Sequence, residues 1–230
     1  MKFREWEPAY EAILDDFGYP READEAARDE LGALVGRFDE SRLSVFEGAT
    51  VAVAGGASTL AAEVDVAADA DLVVAASTAA DVLEQAGIGV DLMTTDLDKN
   101  ADTAVALTRE GTPVAVHAHG DNRAAIRTVV PRMQREHVLP TTQAAPHGPV
   151  VNFGGFTDGD RAAFLADHFG AARLRFPGWD FDDPTVDEAK RRKLRWAARL
   201  LSWLERRRGQ RFPVLDGRRA SLDRSFVGGG

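Results

Sequence analysis

Asp96 and Asp98 stand one residue apart at the end of the run Val90-Asp91-Leu92-Met93-Thr94-Thr95. That run reads as a short buried strand, and open α/β sheets bind ligands just beyond the carboxyl ends of their strands. Two carboxylates there can hold a hard cation, above all Mg²⁺ bridging substrate phosphates. Asp-x-Asp alone is a weak signal, because Asp96 also suits a helix N-cap and Asp98 a solvated loop. Two further carboxylate turns strengthen it. Asp121-Asn122 follows the strand beginning at Val114, and Asp158-Gly159-Asp160 follows Val150-Val151-Asn152-Phe153-Gly154-Gly155. One residue of each turn is equally placed to cap a helix, with Thr157 or Asp158 a natural N-cap.

His117 and His119 lie two apart on a predicted strand and so point the same way. No third nitrogen or sulfur ligand is arranged for zinc. The pair could bind a metal, but the stronger expectation is one packed histidine and one lining a cleft. Gly55-Gly56-Ala57-Ser58 follows another short strand, Val51–Ala54. Glycines and then a hydroxyl residue opening a helix can receive phosphate, or form a plain tight turn with Ser58 as cap. The turn lacks the third glycine of a dinucleotide fingerprint and the Gly-Lys-Ser/Thr of a Walker loop. Lys190 and Lys193 near the start of a long helix read as a solvated face or as cations reaching toward phosphates.

The elements that must position these groups follow an α/β rhythm. Strand candidates begin near 50, 72, 90, 113, 150 and 172, with helices between most of them. This implies a mostly parallel sheet with helices on both faces. Trp6, Tyr10, Ile13, Leu14 and Phe17 form one apolar helical face, and a second helix follows Pro20, so residues 1–44 are expected to form an N-terminal helical cap. Residues 45–208 are expected to form an α/β nucleotide-binding catalytic domain, with 138–149 an irregular connection and a helix over about 184–206. Residues 209–230, ending in three glycines, read as a weakly ordered tail.

Composition removes several classes of function. There is no cysteine, which excludes thiolate nucleophiles, disulfides and cysteine-held zinc. A net charge of -9 argues against nucleic-acid binding. No apolar run spans a membrane and the N-terminus lacks a signal core, so a cytoplasmic protein is expected. Of 28 basic residues only four are lysines. With the acidic surface, this suggests a salt-adapted source.

"TDLD" (95–98), "HAHGDN" (117–122) and "GFTDGDRA" (155–162), in that order after the glycine turn, resemble the archaeal 6-hydroxymethyl-7,8-dihydropterin pyrophosphokinase family, related in architecture to thiamin pyrophosphokinase. The resemblance covers about residues 45–205. It implies a thiamin-pyrophosphokinase-like fold and Mg²⁺-dependent transfer of diphosphate from ATP to the pterin hydroxymethyl group, giving AMP and a pterin diphosphate for folate or methanopterin synthesis. It further implies that Asp96, Asp98 and Asp121 hold Mg²⁺. Gly55, Gly56 and Ser58 would touch nucleotide. His119, Asn122, Gly155, Thr157, Asp158 and Asp160 would line the cleft, and Lys190 and Lys193 would neutralise developing charge. Two features depart from the family pattern: Lys99 follows "TDLD" where a small residue is usual, and "GGASTL" replaces Gly-x-Gly-Pro-Ser-Leu. Thiamin pyrophosphokinase, a nucleotide-sugar glycosyltransferase and a non-catalytic nucleotide-binding module are the alternatives. The expected partners are small-molecule substrates, with a homodimer as the candidate assembly.

Overall fold

A computed structural model describes residues 1–223 and 225–226. Its centre is a six-stranded sheet: β1 (Thr50–Ala54), β2 (Leu72–Ala76), β3 (Leu92–Thr95), β4 (Val114–Ala118), β5 (Val138–Thr142) and β6 (Arg173–Arg175). The order is β5-β4-β3-β2-β1-β6, and every neighbouring pair is parallel. Strands from β1 to β5 step across the sheet in one direction, and β6 returns to the far side of β1. All six carboxyl ends therefore share one edge.

Alternating side chains divide the core in two. Val51, Val53, Val74 and Leu92 pack with α1 (Phe3–Phe17), α7 (Asp158–His168) and α8 (Glu188–Arg208) on one face. Ala52, Val73, Met93 and Val116 pack on the other face with α2 (Arg21–Leu34), α3 (Val64–Ala68), α4 (Ala79–Gln85), α5 (Ala101–Glu110) and α6 (Arg123–Val129). Right-handed crossovers account for this split: connections stepping one way lie over one face, and the connection that returns to β6 lies over the other. The reversal creates a topological switch point between β1 and β6. The two N-terminal helices join these cores, α1 on one face and α2 on the other. Trp6, Tyr10 and Ile13 are fully buried.

Two expectations change. The fifth strand is Val138–Thr142, within the stretch expected to be irregular, while Val150 and Val151 contribute only isolated bridges to His147 and Thr141. Pro140 disguises this strand, yet its missing N–H is tolerable because β5 is an edge strand of the sheet. The described part of the tail is also packed. Phe212 and Leu215 are fully buried, and Arg219 binds Glu205 and the carbonyl of Phe212. The three terminal glycines lie outside the described residues.

Candidate active site

A cavity of about 480 Å³ runs along the carboxyl edge of the sheet, within the usual size for a small-molecule site. Each strand end contributes. Gly55 and Gly56 come from β1, Ser77 and Thr78 from β2, Asp96 and Asp98 from β3, His119 and Asp121 from β4, Gln143 from β5 and Gly178 with Trp179 from β6. The N-terminus of α7 and the first turns of α8 cover it.

The backbone at the β2 and β3 ends is strained. Among the described residues, the only non-glycine positions with positive φ are Ser77 (51°), Leu97 (67°) and Asn100 (37°). All three belong to this edge. Asn100 donates to the Ser77 carbonyl at 3.1 Å, tying the two loops together. In the β3 loop the N–H of Leu97 donates to Thr95 Oγ1 at 2.9 Å, and that of Asp98 to Asp96 Oδ1 at 3.2 Å. These bonds hold both carboxylates on one tight turn. Such strain persists only where surrounding structure enforces it, and it concentrates at ligand sites.

The carboxylates have unlike environments. Burial alone would raise Asp96, but hydrogen bonds involving His119 and Asp98 outweigh it and hold Asp96 well below the usual range. His119 Nδ1 accepts from the Asp121 N–H at 3.3 Å, which leaves the ring proton on Nε2, facing Asp96 Oδ2 at 3.5 Å. Partial burial and then the charge of Asp96 push Asp98 up to about 6, against the pull of Lys99 and Lys193. Burial, then Asp96 and Asp98, push Asp158 up to about 8, although Arg161 Nη1 lies 3.3 Å from its carboxylate. Asp96, Asp98 and Asp158 therefore share one field. Asp121 is exposed on the cavity wall. Among the described residues no three acidic or histidine side chains form a closed cation cage, so the expected Asp96–Asp98–Asp121 trio is not assembled as one.

Several other expected site residues do structural work. Asn122 is buried and bridges two strand ends: its Nδ2 donates to the carbonyls of Asp96 (2.8 Å) and His117 (2.6 Å), and its Oδ1 accepts from the His119 N–H (3.0 Å). Asp160 closes a capping box with Thr157 at the start of α7, accepting from Thr157 Oγ1 at 2.6 Å and from the Thr157 N–H at 3.0 Å. Gly155 sits at φ 95°, and a Cβ there would lie 2.4 Å from Arg161 Cα. None of these three lines the cavity, nor does Ser58, which begins a short 3₁₀ turn. The glycine turn is likewise committed to packing. The N–H groups of Gly55 and Ala57 donate to the carbonyls of Pro177 and Gly178, and a Cβ on Gly55 would meet the Gly178 carbonyl at 2.4 Å. Gly55 and Gly56 still line the cavity, as do Thr157, Asp158, Lys190 and Lys193.

The two histidines separate as their spacing predicts. His117 is fully buried beneath the cavity; Thr141 Oγ1 donates to the Val116 carbonyl and so accepts from His117 Nδ1 at 3.2 Å. Burial, then Arg161 and His119, push His117 well below its ordinary value, so it is neutral.

Three of the chain's four lysines, Lys99, Lys190 and Lys193, line this cavity. The arginines instead make the surface ion pairs, as with Arg192 to Asp16 and Arg208 to Asp167. A compact ammonium suits an anion that moves between ground and transition states, whereas the planar guanidinium suits fixed paired contacts. Sequence reasoning missed Tyr19, Asp24, Gln143 and Arg161 at the cavity. Arg161 stood within the "GFTDGDRA" stretch, but nothing local distinguishes Asp24 from the other acidic residues of α2.

Residues 30–185 match the family model described as 6-hydroxymethylpterin diphosphokinase MptE-like. The chain belongs to this family. A protein of Methanothermobacter thermautotrophicus named 6-hydroxymethyl-7,8-dihydropterin pyrophosphokinase is 36% identical over 225 residues, spanning 90% of this chain and 96% of its own length. The protein of that name from Pyrococcus furiosus is 35% identical over 223 residues, spanning 89% and 95%. The chain is thus an enzyme of the pyrophosphokinase class, matched over nearly its whole length.

Proposed function

We propose that this chain transfers diphosphate from ATP to 6-hydroxymethyl-7,8-dihydropterin with Mg²⁺, in the cytoplasm, supplying folate or methanopterin synthesis. The observation that carries this reading is a cavity with interacting carboxylates at its centre and three lysines around them. It matches the needs of a reaction governed by placement and charge rather than by a covalent nucleophile.

In the reaction the acceptor hydroxyl oxygen bonds to the β-phosphorus of ATP. The bond from that phosphorus to the α,β-bridging oxygen breaks, and AMP leaves with the oxygen. The hydroxyl proton passes to a carboxylate of the central cluster. Mg²⁺ fits the residues present: the donors are hard oxygens, and Asp98 and Asp158, raised first by burial and then by neighbouring carboxylates, lie in negative charge that a cation would offset. Asp96 and Asp98 would hold it, with substrate oxygens completing its shell, as is usual for Mg²⁺. When bound, the ion offsets charge on the triphosphate. Lys99, Lys190 and Lys193 add positive charge around the transferred group. His119, fixed by the Asp121 amide, holds Asp96 in place.

The test is product analysis with purified protein. ATP, Mg²⁺ and the pterin together should yield AMP and pterin diphosphate in equal amounts. AMP formation indifferent to the pterin would refute the reading, as would ADP as the nucleotide product.

A further inference from the structure

The two ends of the cavity differ in chemistry. At the β1–β6 end Gly55, Gly56 and Gly178 bring backbone to the wall, beside Trp179. At the β4–β5 end Tyr19, in the turn between α1 and α2, and Asp24, in the first turn of α2, close the cavity, joined by Phe156 and Gln143. Tyr19 and Phe156 both pack on Phe17, each with ring centroids 5.2 Å from it, forming an aromatic wall.

Two buried polar side chains sit beside that wall. Asp24 is 3% exposed and Gln143 4%. Asp24 Oδ1 accepts from the Gly120 N–H at 2.8 Å, while its Oδ2 accepts from the Tyr10 hydroxyl (2.8 Å) and Gln143 Nε2 (2.7 Å). A carboxylate offers about four acceptor positions, so one stays open, on Oδ1. With Nε2 committed to Asp24, the other amide atom of Gln143 is the acceptor Oε1. Neighbouring His117 carries its proton on Nδ1, toward Thr141, so its unprotonated Nε2 donates nothing to Oε1, which stays able to accept. This end therefore presents two adjacent hydrogen-bond acceptors next to an aromatic face.

We propose that Gln143 and Asp24 bind the acceptor ring by its amino-lactam edge, accepting from the 2-amino group and the adjacent ring N–H, with Tyr19 and Phe156 covering the ring. This rests on the diphosphate-transfer reading above and makes the N-terminal helical pair the specificity element. Two strand spacings of ~4.8 Å separate β5 from β3. A bicyclic ring anchored at Gln143 spans about that distance, bringing its hydroxymethyl arm to Asp96 and Asp98. The aminopyrimidine of thiamin has an acceptor nitrogen, not an N–H, beside its amino group, and would set like against like at this wall.

The test measures steady-state KM for the pterin and for ATP in the wild type, Gln143→Leu and Tyr19→Leu, with direct titration of 6-hydroxymethylpterin. Each variant should raise the pterin KM at least ~10-fold, the scale of about one hydrogen bond or ring contact, and leave the ATP KM within about twofold. The wild type should also reject the 2-oxo analogue of the pterin, and Gln143→Leu should discriminate less. Normal turnover with unshifted pterin KM in both variants overturns this subsite alone. Parallel rises in both KM values overturn it too, because they mark general damage. Failure of the wild-type protein to bind the pterin at all overturns the subsite and the functional reading together.

Discussion

At the scale of single residues, Asp96 and Asp98 divide their labour by environment. The first is kept ionised by its hydrogen bonds, and the second is held near 6 by partial burial and its neighbour. Asp96→Asn and Asp98→Asn should each cut turnover at least ~10²-fold with little change in thermal midpoint, the usual scale for one preorganised electrostatic group. Asp121→Asn should cost clearly less, because Asp121 is exposed; an equal loss would put it back in the metal set. His117 gives a pH prediction. Its folded-state value lies well below the ordinary 6.5, so the unfolded chain binds the proton first. The stability it contributes is complete above about pH 6.5 and is lost as pH falls, by at most ~1.4 kcal/mol per pH unit. Urea unfolding of His117→Phe should show a shallower loss from pH 7.5 to 5.5 than the wild type; identical slopes would mean that His117 is protonated in the fold. The sequence revealed Asp96, Asp98 and His119 because their types and strand-end spacing imply chemistry. It could not reveal Asp24 or Gln143, whose places at the cavity depend on contacts across 96 and 119 positions of chain.

At the scale of elements, apolar runs disclosed four of the six strands, and Arg173-Leu174-Arg175-Phe176 a fifth. The sixth, β5, was hidden by Pro140, whose edge position follows only from the assembled sheet. The same holds for the carboxylate turns. Asp158 and Asp160 look alike in sequence, but the capping box turns Asp160 away into the start of α7 and leaves Asp158 in the cavity. The C-terminal segment was misjudged because two buried side chains, Phe212 and Leu215, do not make a periodic pattern. Each is worth ~1.5–3 kcal/mol of burial. Ending the chain at Gly209 should therefore lower the thermal midpoint by more than ~6 °C, at ~2–4 °C per kcal/mol for a chain of this size. An unchanged midpoint and soluble yield would show that the segment contributes nothing to the core.

At the scale of the whole molecule, one parallel sheet sets the two ends of the cavity apart. The switch point between β1 and β6 faces one end, and the α1–α2 turn closes the other. Apart from Arg161, which pairs with Asp158 at the cavity, arginines such as Arg192 and Arg208 pair away from it, while three of the four lysines gather there. The net charge of -9 repels itself in dilute buffer, and this repulsion is screened as the Debye length shrinks to about 3 Å at 1 M salt. The thermal midpoint should rise from low to molar KCl; a flat or falling curve would contradict salt adaptation. The central claim is that the whole terminal diphosphate moves at once, by attack on the β-phosphorus. It is tested most directly by following separate β- and γ-phosphorus labels of ATP in the presence of Mg²⁺ and the hydroxymethyl-dihydropterin. Both labels should enter the pterin product in equal amounts, with one unlabelled AMP released for each. Transfer of the γ-label alone, or of neither, would contradict the account.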